Sequence, residues 1–278
     1  MDIGAQQAGA EVIYANDIDS DSVRSLEKHF PSARTLLSDV RELTEFPSAD
    51  LIIGGYPCQS FSIGGKRDPE KDERTQLYQE FARCVDQVQP KFFVAENVSG
   101  LQKLKKGRFL KDQIDLFGSL RNGAYEVFPQ ILNARDYGIP QTRKRLFIVG
   151  VHKDLGSVYR FPNPTHGDPR KKLGNLKPFA SHGDAIADLP LWPEGEFYER
   201  PHDPEGHWSW YYMSRNRKAP WDAPSYTIVA NWRHITLHPG SPTMKLTWSN
   251  LADNWKQRWD FSGEYEHLEA DPDRPKLN

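Results

Sequence analysis

Five short apolar runs punctuate the first half of the chain: EVIYA (Glu11–Ala15), TLL (Thr35–Leu37), DLIIGG (Asp50–Gly55), KFFVAE (Lys91–Glu96) and RLFIVGV (Arg145–Val151). Each is short and almost uniformly apolar, the pattern of a strand covered on both faces. Helical patterns lie between them. Asp19–Phe30 opens on capping and acidic residues, and Thr75–Gln89 repeats Leu77, Phe81, Cys84, Val85 and Val88 at helical spacing. Strand and helix alternation of this kind predicts an α/β fold with an open, mostly parallel sheet.

The pattern changes after the Pro-rich stretch RFPNPTHGDPRKK (Arg160–Lys172). All eight tryptophans lie from Trp192 onward, and Arg200–Arg233 interleaves aromatic residues with Arg215, Arg217 and Lys218. A second, smaller region is expected there, so the chain divides into 1–151 and 152–278.

Composition narrows the class. With 278 residues, 37% hydrophobic and 27% charged, the chain can bury a sizeable core, and disorder throughout is excluded. No apolar run approaches the length of a bilayer span, and MDIGAQQAGAEV lacks the layout of a signal peptide, so a cytoplasmic location and no membrane partner are expected. The net charge of −2 does not announce a polyanion binder, though a near-neutral sum can hide local patches. Two cysteines, Cys58 and Cys84, argue against a disulfide scaffold and a four-thiolate zinc site. RPHDPEGHW carries two histidines without a ligand pattern, so no metal is expected.

The two thiols read differently. Cys84 shares a helical stripe with Leu77, Phe81 and Val88 and reads as core packing. Cys58 follows a strand directly, where open α/β folds place their chemistry. Pro57 precedes it, Gln59, Ser60 and Ser62 surround it with polar groups, and Gly64 and Gly65 open a polar loop. A catalytic thiol needs exposure, a neighbourhood that favours the thiolate, and a loop able to exclude water. An inert thiol is the alternative. Glu96, at the end of FFVAE, would bring a carboxylate to the same sheet edge, although a strand-end acid is often only solvated. Gln141, Arg143 and Arg145 alternate into the last strand and should share one face, which could equally be an exposed basic one.

Taken together and in this order, PCQSFS, ENV and QTRKR resemble the signature of the DNA cytosine-5 methyltransferases, over Asp2 to about Val151. The resemblance implies a Rossmann-like, S-adenosylmethionine-dependent sheet with a smaller target-recognition region. It implies Cys58 as the nucleophile at C6 of cytosine, Glu96 as the group that protonates or hydrogen-bonds N3, and Arg145 with Arg143 as the residues that orient the base. For the methyl donor it implies Asp17 at the ribose hydroxyls, Ile18 on the adenine face, Asp39 at the adenine amino group, and Gly4 and Pro57 in the same pocket. Double-stranded DNA is the implied partner, with the target base extruded. Gln59, Ser60, Ser62, Lys66, Arg67 and Gln141 are the implied contacts near the site, and Ser60 to about Thr75 the implied lid. In the second region, HGDAIADLP and WDAPSYTI resemble framing segments, with Thr227 at a phosphate and Arg215, Arg217 and Arg233 as candidates for base reading.

Three family segments are not seen. The Phe-x-Gly-x-Gly strand and turn that would precede MDIGAQQAGAEV is missing, as are the closing Arg-x-x-x-x-Glu and Gly-Asn-x-Val-Pro-Pro segments. An excerpt, or one subunit of an enzyme split between two polypeptides, is therefore expected, rather than a degenerate copy. Bacterial members suggest a bacterial or phage origin and a role in restriction-modification or phage defence. A tRNA cytosine-5 methyltransferase is the main rival, and a cysteine hydrolase or a non-enzymatic DNA-binding subunit the weaker ones.

Overall fold

A computed structural model describes residues 1–56, 77–189, 218–228, 239, 243–251 and 254–262. The chain divides into two compact units, one of residues 1–132 and 144–161, the other of 133–143 and 162–278.

The first unit opens with α1 (Asp2–Gln7), β1 (Tyr14–Asp17), α2 (Ser20–His29) and β2 (Arg34–Leu37). Asp19 caps α2 by accepting the Ser22 amide at 2.8 Å, so the acidic cluster after β1 starts the helix as the pattern predicts. β1 and β2 pair in parallel, Tyr14 opposite Arg34 and Asp17 opposite Leu37. Next come β3 (Leu51–Gly54), α3 (Leu77–Val88), β4 (Phe92–Val98), α4 (Arg108–Gly123), β5 (Tyr125–Asn133) and β6 (Lys144–His152). Their four strands form one sheet in the order β3-β4-β6-β5. β3 runs parallel to β4, but β6 runs antiparallel to it, Phe92 opposite Val151 and Val98 opposite Arg145.

Two features depart from the sequence expectation. The run RLFIVGV is buried on both faces as expected, but apolar content carries no strand direction, and β6 pairs antiparallel. α4 and β5 were not anticipated. β5 contains Pro129, which has no amide to donate to a ladder, and the sheet order places this strand at the edge, where that omission is tolerated.

The core of this unit is aromatic. Phe93 of β4 and Phe117 of α4, both fully buried, meet edge to face at 5.4 Å, with Phe81 of α3 and Tyr125 of β5 completing the cluster. Gly150 of β6 lies under the Phe93 ring so closely that a Cβ there would be 1.9 Å from it. Helices α3 and α4 thereby cover the sheet with closely packed rings.

In the second unit three distant segments are stitched together. The Thr142 amide donates to Ser225 O at 2.8 Å and the Ser225 amide to Pro140 O at 2.9 Å. His182 and Gly183 donate to the carbonyls of Ala223 and Trp221 at 2.8 and 2.9 Å. Ser181 and Asp184 form a capping box at the start of α5 (His182–Ile186). The unit also holds the short parallel pair β7 (His166–Gly167) and β8 (Lys177–Pro178), and an antiparallel hairpin of β9 (Thr243–Leu251) and β10 (Asn254–Ser262).

Candidate active site

The parallel pairing of β3 with β4 brings their carboxyl ends side by side, and the candidate chemistry collects at that edge. Glu96 lies on β4 opposite Phe147, so Arg145, two residues along β6, is its diagonal neighbour on the same face. The Arg145 Nε donates to Glu96 Oε1 at 2.8 Å, and both side chains are about four-fifths covered, at 20% and 23% exposure. The other carboxylate oxygen faces Gly55, where an added Cβ would stand 3.4 Å from Glu96 Oε2. Gly55 is three residues ahead of Cys58. Glu96 therefore lies against the chain that leads to the thiol.

That chain is held at Tyr56 from two sides. The buried Asn97 side chain donates from Nδ2 to the Tyr56 carbonyl at 3.3 Å, while its Oδ1 accepts the Val98 amide at 2.8 Å. The Tyr56 hydroxyl donates to Gln113 Oε1 of α4 at 2.5 Å, and its ring packs against Tyr78 and Phe81. Tyr56 and Gln113 carry no signal in the sequence because they are 57 positions apart and only the packing of α4 joins them.

On the other side of β3 lies a cavity of about 1100 Å³, lined by β1 from Tyr14 to Asp17, by β3 from Ile52 to Gly54, and by Ile18, Asp39, Phe46, Glu80 and Cys84. Of the residues expected to hold a methyl donor, Asp17, Ile18 and Asp39 meet here, whereas Gly4 in α1 does not line it and faces open space. Asn16, not anticipated, ties the two acidic strand ends together by donating to Leu36 O at 3.1 Å and Ser38 O at 2.8 Å. Ile18 is 69% exposed, an uncovered apolar surface beside carboxylates, which suits a ligand with a flat apolar ring and hydroxyls. Asp39 accepts the Arg41 amide and its guanidinium, with Nη2 to Oδ2 at 2.6 Å, and these bonds hold its carboxyl down at about 2. Cys84 is only half-buried and reaches the cavity wall, yet burial pushes its thiol up to about 11, the property of an inert cysteine.

In the second unit, Gln141 bridges to Ser225, and the Thr227 hydroxyl donates to Thr142 O at 2.7 Å, so both residues serve the stitching of this unit. Arg143 belongs to this unit and Arg145 to the first. Pro57, Cys58, Gln59, Ser60, Ser62, Lys66, Arg67, Arg215, Arg217 and Arg233 lie outside the described residues. Among the described residues no group of three or more His, Cys, Asp or Glu could hold a metal ion, and no helix is long and apolar enough to cross a membrane.

The family model for C-5 cytosine-specific DNA methylases matches residues 1–252. The chain belongs to this family. It is 41% identical over 257 residues to the type II methyltransferase M.BspRI of Lysinibacillus sphaericus, a match covering 92% of this chain and 55% of that protein. The type II methyltransferase M.BsuRI of Bacillus subtilis is likewise 41% identical, with 92% and 54% covered. The chain thus spans about half the length of these relatives. Among solved structures, a mutant of Spodoptera frugiperda DNMT2 superposes with a TM-score of 0.51 at 14% identity, over 84% of this chain and 67% of that one, a likeness of fold. The α/β fold described above is Rossmann-like.

Proposed function

We propose that this chain is the catalytic part of a DNA cytosine-5 methyltransferase, moving a methyl group from S-adenosylmethionine to C5 of a cytosine extruded from the duplex. The observation that carries the reading is the Glu96–Arg145 pair set against Gly55, three residues ahead of Cys58. A carboxylate and a guanidinium at one sheet edge, against the chain that leads to a thiol, match the demands of the reaction.

C5 of cytosine becomes nucleophilic only when a thiolate adds to C6. Cys58 supplies the thiolate, and Glu96 hydrogen-bonds or protonates N3, so that the electron pair reaches C5 rather than resting on the ring nitrogen. Arg145 fixes the Glu96 carboxylate in place, and with Arg143 it orients the base. The bound donor supplies an electrophilic methyl on a sulfonium. With the methyl on C5 and the donor's thioether released, the C5 proton would pass to water, the electron pair of that C–H bond would re-form C5=C6, and Cys58 would leave as the thiolate. Asp17, Ile18 and Asp39 hold the donor's ribose and adenine, with Pro57 assigned to the same pocket; Gly4, which does not line the cavity, has no part in it. Gln59, Ser60, Ser62, Lys66, Arg67 and Gln141 contact the nucleic acid around the site. Thr227 meets a phosphate by turning its hydroxyl proton from the Thr142 carbonyl to a phosphate oxygen. Arg215, Arg217 and Arg233 read bases, and residues 152–278 form the target-recognition region. The setting is a bacterial or phage cytoplasm and a restriction-modification or phage-defence role.

A second reading is favoured by one observation. β1 and β3 are edge strands of separate sheets, and both line the same cavity. At about 1100 Å³ it exceeds the usual range of small-ligand sites. It has room for a further strand between them, from a preceding segment or a second polypeptide, and in that case the chain alone is inactive.

The test is transfer of labelled methyl from S-adenosylmethionine to unmethylated DNA by this chain, with Cys58→Ala as control and tRNA as competing acceptor. Label on DNA that disappears in the variant supports the first reading. Activity that emerges only when a polypeptide carrying the missing glycine-rich strand is added supports the second. Label on tRNA alone overturns the DNA assignment.

A further inference from the structure

The wall of the donor cavity that carries Asp39 is irregular backbone. After the single 3-10 turn Val40–Glu42, residues 44–49 belong to no helix or strand, so no ladder of their own holds them. What holds them is α3. The Arg83 Nη1 donates to Leu43 O at 2.7 Å and its Nη2 to Val40 O at 2.8 Å. The same guanidinium lies over the Phe46 ring at 5.2 Å and is itself oriented by Glu80, with Nε to Oε2 at 2.8 Å. One turn further along α3, the Gln87 amide donates to Thr44 O at 3.1 Å. Asp39, Val40 and Phe46 line the cavity from the irregular segment, and Glu80 and Cys84 line it from α3. Arg83 joins these two walls.

We propose that Arg83 is a positioning residue for the methyl-donor site: by clamping the carbonyls of Val40 and Leu43 and the ring of Phe46 to α3, it fixes the distance between Asp39 and the opposite wall. The inference rests on the reading of this cavity as the donor site. A planar fork is required for the task, because two carbonyls and a ring face are served at once by one rigid group, while the point charge of a lysine can serve only one of them. Donor affinity is the quantity that should respond, since a wall released from its clamp must be ordered again when the ligand binds.

The experiment measures S-adenosylmethionine and S-adenosylhomocysteine binding by calorimetry for the wild-type chain, Arg83→Leu, Arg83→Lys and Gln87→Ala. Amide hydrogen exchange is followed in parallel over 39–46 and over β4 and β6. The expected result is binding weakened about tenfold to a hundredfold in Arg83→Leu, as the loss of one or two charge-assisted hydrogen bonds implies. Arg83→Lys should recover only part of it and Gln87→Ala should lose less, with exchange quickened in 39–46 and unchanged in β4 and β6. Wild-type affinity retained in Arg83→Leu overturns the inference and leaves the donor-site reading standing. Weakened binding accompanied by faster exchange throughout β4 and β6 also overturns it, as a general loss of stability. A wild-type chain that binds neither ligand, alone or with a polypeptide carrying the glycine-rich strand, overturns the donor-site reading and the inference with it. Should Arg83→Leu fail to fold, Arg83→Lys and Gln87→Ala carry the same comparison.

Discussion

At the scale of single residues, the site is a small set of charges with assigned partners. Arg145 and Glu96 are about four-fifths covered but keep contact with solvent, so their ion pair contributes on the order of 1 kcal/mol to stability. Its value is geometric. Glu96→Gln and Arg145→Ala should therefore melt close to the wild type while methyl transfer in a single turnover falls by about a hundredfold or more, the usual cost of removing a general acid-base group. A fall in melting temperature matching the loss of activity would assign the pair to folding. Asp39 gives a pH prediction. Its carboxyl, held down at about 2 chiefly by the Arg41 guanidinium, lies below the ordinary aspartate value, so the contribution of the pair is fully present above about pH 4 and is lost as pH falls through about 2. Carboxyl titration by NMR should find Asp39 ionised at pH 3.5, and donor binding should not weaken on its account between pH 7 and 5.

The individual residues were unevenly legible. Cys58, Glu96 and Arg145 announce themselves because they sit at the ends of apolar runs in an order few proteins share. Tyr56, Asn16 and Gln113 do not, because an ordinary polar side chain acquires its role only from a partner that folding brings near. Cys84 illustrates the limit of periodicity. Its helical stripe is real, but the stripe faces a cavity wall as well as the core, and the count of residues per turn is the same in either case.

At the scale of elements, the site depends on how stiffly β4 and β6 are held against α3 and α4. Gly150 is the tightest point, since a methyl group there would overlap the Phe93 ring that every neighbouring aromatic touches. Gly150→Ala should be destabilising by about 1–3 kcal/mol in urea unfolding, as overpacking is in closed cores. A neutral result would mean that the ring moves aside and that the cluster is looser than its geometry. The strands β1 to β4 and β6 were foreseen to within a few residues from their apolar runs. β5 was not, because Pro129 and its exposed polar positions hide an edge strand, and α4 was not, because the segment after ENV opens with the basic cluster KLKKGR.

At the scale of the whole molecule, the chain is two units interleaved in sequence. Residues 133–143, between β5 and β6, leave the first unit to join the second, and their bonds to Ser225 and Thr227 give the framing segments a fixed register. If this chain binds the donor alone, saturation at about 100 times Kd should add about 2.7 kcal/mol and raise the melting temperature by several degrees, read in a thermal scan. No shift alone, but a shift once the glycine-rich polypeptide is added, would assign the cavity between β1 and β3 to that segment.

The amino-acid sequence by itself determined the class of the fold and the family, and it singled out a thiol, a carboxylate and a guanidinium as candidates for the chemistry, because apolar periodicity and motif order are local properties written along the chain. Only the tertiary structure decided that β6 runs antiparallel and lays Arg145 across Glu96, that Asn97 and Gln113 both secure Tyr56, and that Arg83 clamps the wall bearing Asp39. Those are relations between positions tens of residues apart, and strand pairing and helix packing, rather than any local preference, bring them within hydrogen-bonding distance.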